Sequence, residues 1–445
     1  MSTSSVLSIE RAGQSGRLLS ARSLSATAIH AMLVRILGPA SSFMLTLLLA
    51  RSFGAAGSGI FFVGLTLVTA FSIVAKFGLE TGIQRFVGAA QASNSMSAII
   101  GVYRQSLRIS VALAVLISGL CLVLASPIAS GVMGDPAQAG IMRLLGLLIV
   151  PYTMLGINAA MLKAIGSPVW GGFFEAAVWP LVTLGLAGLS IVVGPSSTEA
   201  VALAYLLASV LAAAAAHAAV RGRLPRDTTP IAMPSRTLYM SSISLTGIEL
   251  INFALLWTPF MLLPALSDAT EAGLYNVSHR LAAQLGLVML VVASITSVRF
   301  AAHYQQRHHE DLATLAGRTT RTMILLGLPP AIVLLVWSEQ ILVLFGAEFE
   351  NATMTLRILL IGQLINLATG PVGNLLAMTG HERLLRNILL AAMALMLMLA
   401  VALIPAFGAA GAAAAVAVTM AAHNLVCSRV VVSRLDLPFL LAFAR

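Results

Sequence analysis

The amino-acid sequence predicts an all-α membrane protein of twelve transmembrane helices, arranged as two six-helix lobes that repeat one another. Three observations support this prediction. Only 9% of the 445 residues are charged, whereas 59% are hydrophobic. Twelve stretches are apolar over the length of a membrane-spanning helix, and the two halves of the chain match at one fixed offset.

The composition excludes an ordinary soluble protein. A soluble domain is roughly one quarter charged because its surface must be wetted, and this chain, with a mean hydropathy of +0.95, has too few charges to cover itself. The net charge of +10 does not require nucleic acid as a partner, because basic residues collect on the cytoplasmic side of membrane proteins. Cys121 and Cys427 lie in apolar stretches and suggest neither a disulfide framework nor a metal site.

Each span is predicted by its length, since about 20 mostly apolar residues cross the hydrocarbon core as a helix. Gly and Pro punctuate most of the short connections, as at Gly134-Asp135-Pro136 and Gly194-Pro195. The predicted spans are residues 28–53, 57–84, 107–130, 139–163, 168–193, 198–220, 237–264, 271–298, 319–345, 350–379, 384–405 and 409–432.

The positions of the basic residues predict the topology. Three connections, 86–106, 221–236 and 299–318, are longer and polar, and the loops of the opposite face contain acidic residues but no basic ones. Because Lys and Arg are enriched in cytoplasmic loops, both termini are expected in the cytoplasm. The predicted divisions are an N-terminal arm (1–27), an N-lobe (28–220), a cytoplasmic linker (221–236), a C-lobe (237–432) and a C-terminal tail (433–445).

An internal repeat accounts for the two lobes. A shift of 214 positions pairs Arg22 with Arg236, Arg85 with Arg299, Arg104 with Arg318 and Arg143 with Arg357. Six is an even number of helices, so both halves enter the membrane in the same direction and are related by an axis along the membrane normal. Parallel repeats of this kind occur in transporters, which bind their substrate between the halves.

The sequence lacks the motifs of common enzymes. It has no GxSxG, no Walker-type GxxxxGK[ST], no HExxH, and no GxGxxG placed after a strand. We therefore expect a transporter, not an enzyme, and we expect no cofactor and no metal. Transport driven by ATP within this chain is disfavoured for the same reason.

Ionisable residues at membrane depth are costly, which makes each a candidate functional residue. Arg35 and Arg280 lie deep in the first and eighth predicted spans. A guanidinium can hold a phosphate or pyrophosphate group with two hydrogen bonds. Snorkelling of the long stem to a headgroup, or an internal ion pair, is the alternative. Four further cations lie within predicted spans as weaker candidates for the same cavity: Arg51, Lys76, Arg143 and Arg357.

Three polar residues are candidates for ion coupling. Glu249 lies near the middle of the seventh span, with Asn252 on the same helix face at i+3. Burial favours the protonated form of a carboxyl group, so Glu249 could carry a proton or a sodium ion, although a neutral structural role would fit as well. Glu80 is placed at i+4 from Lys76, where a local ion pair is the simpler interpretation.

The segment 47–89, LLLARSFGAAGSGIFFVGLTLVTAFSIVAKFGLETGIQRFVGA, contains the residues that identify a family. It resembles the opening of bacterial polysaccharide exporters, the O-antigen-type flippases of the multidrug/oligosaccharidyl-lipid/polysaccharide superfamily. The resemblance extends over most of the chain. It rests on Ala50-Arg51, Phe53-Gly54, Gly59, Phe77-Gly78-Leu79 and Arg85-Phe86, and on the later stretches Ala272-Gly273-Leu274-Tyr275 and Leu375 to Gly380.

The resemblance implies a V-shaped pair of lobes in the bacterial inner membrane and the flipping of undecaprenyl-pyrophosphate-linked oligosaccharides. The implied partners are this lipid-linked substrate, membrane lipids, H⁺ or Na⁺, and the polymerase and glycosyltransferases of polysaccharide assembly. Two alternatives remain. One is a cation-coupled multidrug and toxic compound extrusion transporter, although the first span (28–53) lacks the acidic residue common there. The other is a peptidoglycan-precursor flippase, a family that commonly has two additional helices.

Overall fold

The computed structural model describes residues 4–92, 95–132, 136–193, 197–225, 228–231 and 235–435, and side chains from residue 37 onward apart from scattered positions within helices. All regular structure in these segments is helical. The C-terminal tail beyond Leu435 and the side chains of the N-terminal arm lie outside the described residues.

The described residues of the first half of the chain form nine α-helices. Their bounds are α1 Ser4–Lys76, α2 Leu79–Ala92, α3 Met96–Val123, α4 Ala125–Val132, α5 Ala139–Leu147, α6 Ile149–Ala164, α7 Pro168–Phe173, α8 Trp179–Val193 and α9 Thr198–Arg221. A 3₁₀ turn at Pro136–Gln138 precedes α5, and a π-helical segment at Phe174–Val178 joins α7 to α8.

Seven more α-helices lie in the part of the second half that the structure describes. Their bounds are α10 Ser235–Leu266, α11 Ala269–Gln305, α12 His309–Val336, α13 Ser338–Val343, α14 Thr353–Thr369, α15 Val372–Met378 and α16 Glu382–Leu435, with a 3₁₀ helix at Ala347–Ala352. The polar connections predicted at 86–106 and 299–318 are mostly helical. A helix can continue beyond its apolar span with polar residues, because water can solvate their side chains there.

Nine helices in the described residues are long and apolar enough to cross a membrane. Two of these segments, Leu37–Gly88 with 52 residues and Glu382–Leu435 with 54, are each long enough for two crossings. Each contains a glycine with non-helical backbone angles, Gly54 in α1 and Gly408 in α16. The multi-pass helical prediction is confirmed, whereas the count of twelve and the domain boundaries remain predictions.

The chain divides into two compact units. The first consists of Met1–Leu45, Phe71–Gly119 and Leu147–Thr246, and the second of Thr46–Ala70, Leu120–Gly146 and Gly247–Arg445. The core of the first unit is an aliphatic cluster from α2, α3, α6 and α9, which includes Leu79, Ile83, Met161 and Ala216. A core of the second unit includes Phe300, Leu312, Leu375 and Val431.

Two glycines allow α1 and α11 to approach closely within the second unit. A β-carbon on Gly59 would lie 2.6 Å from the backbone nitrogen of Gly273, and one on Gly273 would overlap the backbone of Ala55. The obstructing atoms belong to the main chain, so no side-chain rotation can relieve the overlap. Small residues at such crossings are typical of helices that pack in membranes.

We expect Gly59→Ala to lower stability by about 1–3 kcal/mol, because the added methyl group forces two backbones apart. Gly88→Ala is the matched control, since no atom lies within 4 Å of a β-carbon there. The measurement is the thermal unfolding midpoint of each purified variant in detergent. Equal midpoints for wild type and Gly59→Ala would contradict the close approach.

Candidate functional site

Arg280 lies in α11, where its guanidinium contacts a buried amide and an aromatic ring. Its Nε donates to Oδ1 of Asn276, one turn earlier, at 3.0 Å. The guanidinium carbon is 4.5 Å from the centroid of the Phe62 ring. Asn276 and Phe62 are buried, whereas Arg280 is half-buried. The face of an aromatic ring attracts a cation, so these contacts hold Arg280 in one orientation.

An aromatic cluster between α10 and α11 supports the helix that carries Arg280. Phe253, Trp257 and Phe260 line one face of α10, while Tyr275 and His279 are one turn apart on α11. The ring centroids of Tyr275 and His279 are 5.7 Å apart, and those of Trp257 and His279 are 5.2 Å apart. Within the described part of the chain, Tyr275 Oη and His279 Nδ1 are buried without a hydrogen-bond partner.

Arg51 and Ala55, on either side of the break in α1, bind to the second half of the sequence. Arg51 Nε donates to the backbone oxygen of Leu344 at 2.6 Å. The backbone nitrogen of Ala55 donates to Oε1 of Glu348 at 2.8 Å. Gly54 has a φ of 66°, so the helix restarts there and Glu348 accepts from one of its free N–H groups, that of Ala55. We call these two hydrogen bonds, from Arg51 to Leu344 and from Ala55 to Glu348, the Glu348 contacts.

The break in α16 has the same construction. Gly408 has a φ of 52°, and the backbone nitrogen of Ala409 donates to Oε2 of Glu271. A carboxylate at a helix N-terminus satisfies a free donor and interacts favourably with the helix dipole. Glu271 itself lies in the first turn of α11, where its backbone nitrogen donates to Oδ1 of Asp268, the residue that caps the helix, at 2.9 Å.

Sequence reasoning missed Glu271 and Glu348 as structural anchors. The available signal was the identical pentapeptide Phe-Gly-Ala-Ala-Gly at 53–57 and 407–411. It marks both breaks, but nothing in it states which distant carboxylate will accept from the helix that follows.

Lys76 and Glu80 form an ion pair in the first unit. Nζ of Lys76 is 2.9 Å from Oε2 of Glu80, and their side chains are only 16% and 17% exposed. The pair packs on α6 at Gly156, where a β-carbon would lie 3.1 Å from Cδ of Lys76. The local pairing allowed by the i, i+4 spacing is therefore present.

Arg143 and Arg357, which match at the repeat offset, are both exposed. Arg357 Nε donates to Oγ of Ser338 at 3.0 Å. Arg143 lies in α5.

The remaining candidates are on α10 and α1. Glu249 is half-buried in α10, and Asn252 is exposed on the same helix. Arg35 lies in α1, but its side chain is outside the described residues. The role of each predicted residue in substrate binding or ion coupling remains a prediction.

The chain matches a family of polysaccharide biosynthesis proteins over residues 24–300, which span the predicted linker and parts of both halves. It belongs to this family. The MatE family also matches, over residues 248–402. Membership of the polysaccharide biosynthesis family confirms the resemblance recognised from residues 47–89.

Two curated relatives of this family member are glycan transporters by name. The chain is 22% identical over 421 residues to the probable low-salt glycan biosynthesis flippase Agl15 of Haloferax volcanii, covering 94% of this chain and 85% of that protein. It is 25% identical over 324 residues to the succinoglycan biosynthesis transport protein ExoT of Rhizobium meliloti, covering 71% of this chain and 61% of that protein. These names describe transporters and flippases, not enzymes.

Solved structures share the fold. An inward-facing multidrug resistance MATE family transporter of the MOP superfamily gives a TM-score of 0.76 at 15% identity, covering 91% of this chain and 98% of that one. The lipid II flippase MurJ in an inward closed conformation gives 0.68 at 12% identity, covering 91% and 87%. At these identities the likeness shows the fold alone, and it confirms the predicted fold class.

We expect Lys76 and Glu80 to be energetically coupled. Lys76→Met or Glu80→Gln alone leaves one charge in a mostly buried place, which typically costs about 3–5 kcal/mol, whereas the double variant removes both charges. A double-mutant cycle on unfolding in detergent should give a coupling of about 1–3 kcal/mol. Additive single effects would contradict the ion pair and would favour separate functions for the two residues.

Proposed function

We propose that this chain flips an undecaprenyl-pyrophosphate-linked oligosaccharide across the bacterial inner membrane by alternating access, with both termini in the cytoplasm. Family membership and the names of the two curated relatives support a glycan cargo. The observation that carries the proposal is Arg280, a cation held by Asn276 and Phe62 within the predicted eighth span. The head of such a cargo is polar and anionic, and it must pass a hydrocarbon layer.

The depth of Arg280 supports a role in binding that head. Nine residues separate it from Glu271, where the predicted span begins, which is about 14 Å at the rise of an α-helix. This is close to the middle of a hydrocarbon core about 30 Å thick. An arginine there costs about 3 kcal/mol on insertion scales, so its presence calls for a function. The planar guanidinium can bind a pyrophosphate through two hydrogen bonds at once.

The Glu348 contacts supply a switchable element for alternating access. They join α1, in the first half of the sequence, to Leu344 and Glu348 in the second half. One of these hydrogen bonds goes to a carboxylate and the other comes from a guanidinium. Two such bonds can stabilise one conformation of the transporter, and both can break when the conformation changes. In our proposal they open when the path faces the other side of the membrane.

Glu249 is the proposed coupling residue for H⁺ or Na⁺. It is half-buried in α10, and a carboxyl group at that depth can alternate between a neutral and an ion-bound state. Asn252, on the same helix, and Glu80 are the further candidates for a role in coupling. Glycosyltransferase partners would act on the cargo before the flip, and a polymerase partner would act on it after the flip.

Cation-coupled multidrug extrusion is the second candidate, favoured by the MatE match at residues 248–402. A flippase for peptidoglycan precursors is the third, favoured by the fold shared with the lipid II flippase. The absence of an acidic residue from the predicted first span, 28–53, disfavours a cationic drug as cargo.

We expect Arg280→Gln to slow flipping about tenfold or more, because a charge-assisted hydrogen bond to phosphate is lost. Arg280→Lys should be intermediate, since it keeps the charge but not the fork. The assay follows a fluorescently labelled undecaprenyl-pyrophosphate disaccharide in proteoliposomes. The matched control is Arg383→Gln, an exposed arginine at the start of α16. Wild-type flipping by correctly inserted Arg280→Gln would refute this role.

We expect Glu249→Gln to abolish the response of flipping to an imposed H⁺ or Na⁺ gradient, because the amide can neither release a proton nor bind the cation as a carboxylate. The same proteoliposomes are assayed with and without each gradient. Glu382→Gln, at an exposed position of α16, is expected to respond as wild type. A gradient response retained by Glu249→Gln would exclude Glu249 as the coupling residue.

A further inference from the structure

A basic cavity lies between α3 and α9 in the first unit. Its volume is about 380 Å³. The residues that line it are Ile100, Tyr103, Arg104, Leu107, Arg108, His217, Arg221, Leu224 and Pro225. They come from the beginning of α3, the end of α9 and the first residues of the linker, so the cavity lies where two spans end. We call it the α3–α9 pocket.

The charge of the α3–α9 pocket indicates an anionic ligand. Arg104 and Arg108 are one helical turn apart on α3, and Arg221 ends α9. All three are exposed, and the described lining residues include no acidic side chain to balance them. Three guanidinium groups that face one cavity repel one another unless an anion is shared among them. Arginine clusters of this kind recognise phosphate by bidentate hydrogen bonds.

A buried hydrogen-bond network fixes the polar side of the pocket. Tyr103 Oη is 2.6 Å from Oδ1 of Asn158 and 3.0 Å from Nδ1 of His217. Asn158 Nδ2 donates to the backbone oxygen of Met154 at 2.7 Å, so Oδ1 is the acceptor for the tyrosine hydroxyl. Tyr103 has one proton to donate, and His217 Nδ1 therefore donates to Tyr103. In the neutral ring Nε2 is then the acceptor, and in the charged ring it is a fourth donor for an anion.

The rest of the lining is apolar and comes from Ile100, Leu107, Leu224 and Pro225. A free ion does not need such a surface, whereas the glycerol and upper acyl chains of a phospholipid do. The position at the ends of two spans is the depth at which phospholipid headgroups lie. Arg223 is adjacent but is used differently, since its Nη1 donates to the backbone oxygen of Ala219 at 2.9 Å.

We propose that the α3–α9 pocket binds the phosphate headgroup of an anionic membrane phospholipid, as a site separate from the path of the flipped cargo. The arginines contact the phosphate, Tyr103 and His217 form the polar wall, and the three aliphatic residues contact the lipid chains. Binding at this site does not depend on the transport role assigned to Arg280.

Native mass spectrometry of the full-length protein with phosphatidylglycerol or phosphatidylcholine tests the proposal. We expect the wild type to prefer phosphatidylglycerol, and we expect Arg221→Gln and the double variant Arg104→Gln/Arg108→Gln to bind it about tenfold more weakly for each charge-assisted hydrogen bond lost. Arg223→Gln is the matched control and should bind as wild type. Leu107→Trp, which fills the cavity and keeps every arginine, should also lose the lipid.

The outcomes separate lipid from free phosphate. Inorganic phosphate is titrated into the same samples, and we expect it to displace little phosphatidylglycerol. Saturable binding of inorganic phosphate that needs Arg221, without a preference for phosphatidylglycerol, would overturn the lipid assignment. Equal binding of phosphatidylglycerol by all variants, or equal binding of both lipids by the wild type, would overturn the site itself. Flipping is measured in parallel with the same variants. A failure of the proposed transport function is thereby distinguished from a failure of lipid binding at the pocket.

Discussion

Every backbone N–H group that a helix break exposes near lipid needs an acceptor, and this requirement determines how the two longest helices are built. α1 and α16 each contain one glycine with a positive φ, Gly54 and Gly408, after which a new helix begins. The first donors of that new helix cannot bond within it. Glu348 and Glu271 accept from the residues that follow the two glycines. The free N–H groups at the two breaks therefore explain why two carboxylates lie there. A scan for charged residues assigns both carboxylates to loops.

This arrangement has a consequence for packing. Because Glu271 lies in the first turn of α11 and also accepts from Ala409, the start of one helix is bonded to the restart of another. The segment after Gly54 is bonded to Glu348 in the same way, and Gly59 and Gly273 bring its backbone against α11. Polar caps and glycine contacts therefore involve the same helices of the second unit, so a shift of one helix alters both kinds of contact.

Much of the fold could be predicted from the sequence because lipid imposes a simple rule on length and polarity. The apolar stretches predicted the helical segments, and Gly54 and Gly408 lie in the predicted connections between spans 28–53 and 57–84 and between spans 384–405 and 409–432. The continuation of α11 to Gln305 and the start of α12 at His309 were not predicted. The composition of a polar stretch does not distinguish a helix from a loop. The pairing of Lys76 with Glu80 followed from an i, i+4 spacing, which is local.

Contacts between distant residues could not be predicted, because no local rule specifies them. Phe62 beneath Arg280 is 218 positions away in the chain, and Tyr103 meets Asn158 and His217 across three helices. The repeat matched arginines at equivalent positions, but equivalence in sequence does not mean equivalence in environment. Arg104 lines the α3–α9 pocket, whereas its match, Arg318, is an exposed residue of α12 and is not among the lining residues.

Depth is the property that separates the two groups of arginines. Arg104, Arg108 and Arg221 lie at the ends of their spans, where water and headgroups solvate a charge at little cost and where a phospholipid phosphate is always available. Arg280 lies well inside α11, on an aromatic ring and a buried amide, where every charge carries an insertion cost. A cluster at the interface needs only local lipid to explain it. A guanidinium at the half depth predicted for Arg280 needs a ligand that travels there, which is why we propose a moving pyrophosphate for Arg280 and a resident lipid for the pocket.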